Sequence, residues 1–191
     1  MNVPQRQLFA ILRLLAGPHR GDPAGVDYGA EIGVDSGDTS AFLLRRFPRL
    51  RLFMVDPWVQ PDKSSEYFRS ADGCARQSQA CFDRAFATAM RQTHFARRRR
   101  IVIRMPSPAA AKMISHYLDF AYIDAEHTYS GCLADMDAWY PKLHPGGILC
   151  GHDYNYRSPR FAVPKAVDEF AKEHGLKIEV GKGSVWWARK P

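Results

Sequence analysis

The sequence has little cysteine and none of it paired: Cys74, Cys81, Cys132 and Cys150 are the four, and no two stand in a C-x-x-C spacing. That argues against a structural zinc site and against a disulfide framework, and Cys150, inside a strand-like run, is expected to pack as a small hydrophobe. No apolar run approaches the roughly 20 residues that a membrane-spanning helix needs. The segment from Met1 to Pro18 is amphipathic, with Arg6 and Arg13 inside it, and does not read as a signal peptide. A soluble, cytoplasmic protein with no membrane partner is expected. Zinc-finger, helix-turn-helix and RNP signatures are missing, so a nucleic-acid partner is disfavoured. Internal repeats and low-complexity tracts are missing too.

What is there fits one domain. A chain of 191 residues, 46% hydrophobic and 12% aromatic, is long enough for one well-packed core and short for two, so residues 1–191 are read as a single unit. Lys plus Arg number 27 against 20 Asp plus Glu, a formal net charge of +7. Four of the basic residues stand together at Arg97 to Arg100. The run is either a phosphate-contacting patch or a solvated helix end favoured by the helix dipole, and the second reading is preferred.

Strand and helix patterns alternate along the chain, the sequence form of an α/β sheet with helices on both faces. A first helix is expected over about Gln5 to Ala16. Strands are expected near Tyr28 to Val34, Arg51 to Val55, Arg100 to Arg104, Phe120 to Ile123 and Gly147 to Gly151, with helices between them. A helix from about Ala162 to His174, a strand Lys177 to Val180, a turn at Gly181 to Gly183 and a strand Ser184 to Arg189 close the chain as a hairpin-like pair. Pro57 to Ser78 is irregular and reads as a lid over the site or as a plain surface excursion.

The first strand runs into Glu31-Ile32-Gly33-Val34-Asp35-Ser36-Gly37, and the second ends in Asp56. A strand, a glycine turn and a helix, with a carboxylate on the neighbouring strand, is where an α/β nucleotide fold holds a ribose. The glycine spacing is not Gly-x-Gly-x-x-Gly, and carboxylates at Glu31 and Asp35 would repel a diphosphate. Glu31 suits a cationic amino-acid ammonium instead, directly or through water. S-adenosylmethionine is therefore favoured over NAD. A second constellation, Tyr122 to Tyr129 and Gly146 to Tyr154, places Asp124, His127, His152 and Asp153 at two strand ends beside that crevice, as an acid-base or metal site.

The pattern Glu-x-Gly-x-x-x-Gly, Val-Asp-x-Trp, Tyr-Ile-Asp-x-x-His-x-Tyr and Leu-x-Pro-Gly-Gly-x-Leu-x-x-His-Asp-Tyr resembles the class I S-adenosylmethionine-dependent methyltransferases of the small methyltransferase 24 type, which are similar to catechol-type O-methyltransferases. The resemblance spans nearly the whole chain and implies a Rossmann-like three-layer αβα sandwich, with a mostly parallel seven-stranded sheet and a C-terminal antiparallel strand. It implies that Glu31, Gly33, Ser36 and Gly37 wrap the methionine part and that Asp56 binds the ribose hydroxyls. Ser107 would seat the adenine, and Trp58 would lie against that base or guard the entrance. Just before Ser107, where many relatives carry an acid, this chain has Pro106. In metal-dependent relatives an Asp at the place of Asp124 holds magnesium together with a pair at the place of His152 and Asp153. Magnesium or another divalent cation is thus the implied metal, and a hard cation prefers oxygen ligands, which suits Asp124 and Asp153 better than His152. His127 falls where the catechol enzymes carry a general base, and an imidazole can take a hydroxyl proton near neutral pH.

The leading expectation is methyl transfer to a hydroxyl of a small molecule: a sugar, a polyol or a phenol. An RNA or protein methyltransferase that uses Arg97 to Arg100, and a non-catalytic cofactor-binding subunit, are the competing readings. The acceptor pocket is expected to be shaped by Pro57 to Ser78, the first helix and Tyr154 to Pro159. A homodimer burying the apolar face of the first helix is also expected.

Overall fold

The computed structural model describes residues 2–15, 25–70, 72–155 and 162–191. Seven strands make one sheet: β1 (Tyr28–Ile32), β2 (Arg51–Val55), β3 (Arg100–Ile103), β4 (Leu118–Ile123), β5 (Leu143–Gly151), β6 (Glu179–Val180) and β7 (Trp186–Arg189). Their order is β3-β2-β1-β4-β5-β7-β6. The first five strands of that order pair in parallel, and β7 runs antiparallel between β5 and β6. This is the Rossmann-like sheet expected from the sequence, including the antiparallel closing pair. Winding reverses between β1 and β4, and at such a switch point the loops leaving the two carboxyl ends part to open a crevice.

Around the sheet lie α1 (Val3–Leu12), α2 (Asp38–Arg46), α3 (Glu66–Arg69), α4 (Gln79–Gln92), α5 (Ser107–Met113), α6 (Tyr129–Trp139) and α7 (Val163–His174). Strand alternation sorts the core into two layers. Phe53 and Val55 face α5, α6 and α7, in a cluster with Met136, Trp139 and Phe170. Leu52 and Met54 face α1, α2 and α4, in a cluster with Leu8, Leu43 and Ala89.

α1 opens with a reciprocal cap, in which the Asn2 side chain accepts from the Gln5 amide and Gln5 reaches back to the Asn2 amide. It passes into a 3-10 turn at Arg13–Leu15, and the expected last residue, Ala16, lies outside the described residues. Leu8, Ile11 and Leu12 are buried within this chain. The chain's own core thus covers the part of the apolar face of the first helix that these three residues form.

Half of the Arg97 to Arg100 run is committed to helix ends. The Arg99 guanidinium donates to the carbonyls of Leu44 and Phe47 at the end of α2 and of Leu50 just before β2. Arg100 donates to the Met90 carbonyl and the Thr93 hydroxyl at the end of α4. The carbonyls at the two helix ends are orphans that a helix terminus leaves for side chains to satisfy. Among the described residues, no helix is long and apolar enough to cross a membrane.

Candidate active site

The β1 turn is held shut by backbone and by Asp56. The Gly33 amide donates to Val55 at 2.9 Å, and the Asp124 amide donates to Ile32 at 2.8 Å, which ties the exits of β1, β2 and β4 together. Gly33 sits at φ +88°, and a Cβ there would stand 2.1 Å from the Asp124 carbonyl oxygen, so glycine is required on both counts. Gly37 at φ +82° caps α2 and lies against Ala89 of α4. Asp56 Oδ2 accepts from the amides of Val34 and Asp35, each at 3.0 Å, and Oδ1 accepts from the Trp58 amide at 2.7 Å. Burial raises the Asp56 carboxyl and these three amides oppose that rise. The residue expected to meet a ribose is thus also the clamp of the turn.

Glu31 is buried, and Ser40 of α2 donates to its carboxylate. Burial pushes its pKa well up, and Asp124, Asp56 and Asp38 push it the same way. Ser36 lines the cavity and gives its carbonyl to Gln92. Trp58 is fully buried; its Nε1 donates to the Asp35 carbonyl at 2.9 Å and its ring meets Phe86 edge-on at 5.0 Å. That corrects its expected place at the entrance: the indole is a pillar under the turn. Ser107 Oγ accepts from Trp139 Nε1 at 2.8 Å and bonds to Asp135, so its single proton is spent inside the protein.

Asp124, His127, His152 and Asp153 do converge. His127 Nδ1 donates to Asp72 Oδ2 at 2.7 Å, and its Nε2 stands 2.8 Å from Asp153 Oδ2 and 3.9 Å from Asp124 Oδ1. His152 Nδ1 is 3.2 Å from Asp153 Oδ1 and 3.9 Å from Asp124 Oδ1. Burial alone would lower His127, but its hydrogen bonds to Asp124, Asp153 and Asp72 outweigh it and push the ring up to about 11. His152 is likewise raised, by Asp153 and Asp124 against its burial. Asp153 goes the other way, because the two imidazoles overcome a burial that would raise it. It also stands at φ +62°, a left-handed conformation that costs a non-glycine residue energy and is often kept at functional sites.

This corrects the expected general base. A ring with both nitrogens facing carboxylates is an imidazolium at neutral pH and has no lone pair for a proton. The three expected metal ligands, Asp124, His152 and Asp153, bring ligand atoms within 4.8 Å of one another. The two carboxylates are ligands magnesium accepts, and the imidazole is the one it takes poorly. Both Asp153 oxygens, moreover, already face imidazoles.

The excursion after Asp56 is built onto this cluster. Asp72, which nothing in the sequence singled out, is buried and carries the His127 bond. Glu66 of α3 accepts from Ser130 of α6 at 2.6 Å, and Gln79 donates to the Trp58 carbonyl at 3.0 Å. Ala71 within the excursion lies outside the described residues, as does most of the Tyr154 to Pro159 loop expected to shape the pocket. Between the excursion, the β1 turn and the loop after β4 lies a cavity of about 910 Å³. Glu31, Asp35, Asp56 and Asp124 all line it. A lining this rich in carboxyl oxygens offers acceptors to the ammonium of S-adenosylmethionine and no cation to a diphosphate at the turn.

Sheet order, glycine turn and acidic crevice together define a class I S-adenosylmethionine-dependent methyltransferase. The match to known proteins agrees: the methyltransferase-domain family covers residues 30–154, well over half of the chain, and the chain belongs to that family. Cofactor-bound Rv0187 from MTB has the same fold, with a TM-score of 0.62 and 17% identity over 96% of this chain and 79% of that one. A Staphylococcus aureus protein titled a caffeoyl-CoA O-methyltransferase superposes with a TM-score of 0.69 at 12% identity, over 100% of this chain and 84% of that one. An rRNA methylase from Streptococcus thermophilus does so at 0.61 and 10% identity, over 99% and 96%. In sequence, the uncharacterized protein y4gI of Sinorhizobium fredii is 28% identical over 76 residues. Those residues are 38% of this chain and 8% of that protein, so the match spans a small part of its length.

Proposed function

We propose that this chain methylates a hydroxyl of a small molecule, a sugar, polyol or phenol, with S-adenosylmethionine held between the β1 turn and the loop after β4. The observation that carries this reading is Asp124. It is a partly exposed carboxylate on the cavity wall, backed by two imidazoles and by the Tyr122 hydroxyl, which donates to its Oδ2 at 3.3 Å. A hydroxyl nucleophile needs a group to receive its proton, whereas a neutral amine can attack without one.

Bound S-adenosylmethionine would supply a methyl group already activated on a sulfonium. Glu31 and the Gly33 to Gly37 turn would hold its amino-acid end, and the accepting capacity left on Asp56 its ribose. Asp124 Oδ1 takes the acceptor's proton as the oxygen attacks. His127 acts through others: its positive charge holds Asp72 and Asp153 in place beside Asp124. Most of the acceleration comes from aligning the two reactants, which the excursion from Pro57 to Ser78 supports by walling the crevice. The RNA reading loses support because Arg99 and Arg100 are bound to helix ends.

Incubation with methyl-labelled S-adenosylmethionine and a panel of phenols, sugars, polyols, amines and RNA tests this reading. Label on oxygen of a small molecule is expected; label on RNA or on amines alone would overturn it.

A further inference from the structure

One buried titratable group on the cavity wall has no part in the chemistry above. Asp135 lies on α6 and is 5% exposed. It lines the cavity together with its neighbour Ala134 and with Gly131, one helical turn back. Met105, Pro106 and Pro108 line the same cavity. Met105, Pro106, Pro108 and Ala134 give this part of the lining apolar side chains, beside Asp135, Ser107 and Glu126, whose carboxyl packs on Gly131 and accepts from Thr128. Ser107 accepts from Trp139 and bonds to Asp135, so a relay from Trp139 through Ser107 ends on the carboxyl.

We infer that Asp135 reads the adenine edge of the cofactor, accepting the hydrogen bond of the 6-amino group, while Ser107 positions the carboxyl and does not itself contact the base. The inference rests on the proposal that S-adenosylmethionine occupies this cavity. A carboxyl buried without a ligand partner is costly, and a ring that brings an N–H to it offsets the cost. Burial pushes Asp135 up to about 7, against the Ser107 bond that lowers it. Both forms fit adenine: the carboxylate accepts from the 6-amino group, and the acid can also donate to N1. A base with a 6-oxo group would set oxygen against the carboxylate form.

Calorimetric titration with S-adenosylhomocysteine and with its counterpart bearing hydrogen in place of the 6-amino group tests this. The native protein should bind the amino form at least about tenfold more tightly, and Asp135→Ala should bring the two within about twofold. Ser107→Ala should narrow the gap part of the way. Equal affinities in the native protein, or a preference that survives in Asp135→Ala, would overturn the assignment of Asp135 alone. If S-adenosylhomocysteine fails to bind the native protein at all, the cofactor reading falls and this one with it. The comparison in the native protein needs no variant to fold.

Discussion

His127 Nδ1 lies 2.7 Å from Asp72 Oδ2, a residue 55 positions away in the chain. That bond joins the loop after β4, which carries Asp124, to the excursion that covers the crevice. It also fixes the charge of the ring. A histidine raised from its ordinary value of about 6.5 to about 11 contributes stability that is complete below the lower value and is lost as pH rises through the upper one. In an NMR titration, the His127 ring signals should therefore show no midpoint between about pH 6 and pH 9, and Asp72→Asn should lower the midpoint by at least about one unit. A native midpoint near 6.5 would restore His127 as a general base.

Gly33→Ala should be strongly destabilising. The position combines φ +88° with a Cβ site 2.1 Å from the Asp124 carbonyl, so neither rotation nor a small shift accommodates the methyl. A loss of more than about 2 kcal/mol in urea unfolding is expected. A loss below about 0.5 kcal/mol would show that the three strand exits are not locked as described.

Neighbouring arginines should behave differently. Arg99→Ala removes donors from three carbonyls, two at the end of α2 and one just before β2, and should cost about 1–2 kcal/mol, whereas Arg97→Ala should stay within about 0.5 kcal/mol. Parallel denaturation curves of the two variants decide it, and equal effects would contradict the assignment of Arg99 to a helix end.

Chelation separates a self-neutralised cluster from a metal centre. With Asp153 facing His127 at 2.8 Å and His152 at 3.2 Å, turnover should change by less than about twofold in excess EDTA. Loss of activity that magnesium restores would show that an ion displaces these imidazoles.

Local signals made the cofactor side legible. The strand, the Gly33 to Gly37 turn and Asp56 lie within 29 residues, Tyr28 to Asp56, and their backbone requirements appear directly as glycine and carboxylate positions. The alternation of elements likewise foretold the sheet and its antiparallel end. Pro57 to Ser78 was illegible beyond its composition, because its structure is made by distant partners: Asp72 with His127, Glu66 with Ser130, Trp58 with Gln79. His127 was legible as a site residue but not in its role, since the carboxylate that keeps it charged comes from that excursion. Asp135 reads in sequence as the polar face of a helix, and only the packing of α5 against α6 buries it. Arg99 and Arg100 could not be parted from Arg97 and Arg98 without knowing where two helices end.

The most direct test of the central claim is calorimetric titration of the purified protein with S-adenosylmethionine and, separately, with NAD, in native form and as Asp56→Ala. Micromolar binding of the first ligand alone is expected, weakened more than about tenfold by the substitution, which removes the ribose acceptor and the clamp on the turn together. Preference for NAD, or S-adenosylmethionine affinity unchanged in Asp56→Ala, would contradict the placement of the cofactor in this crevice.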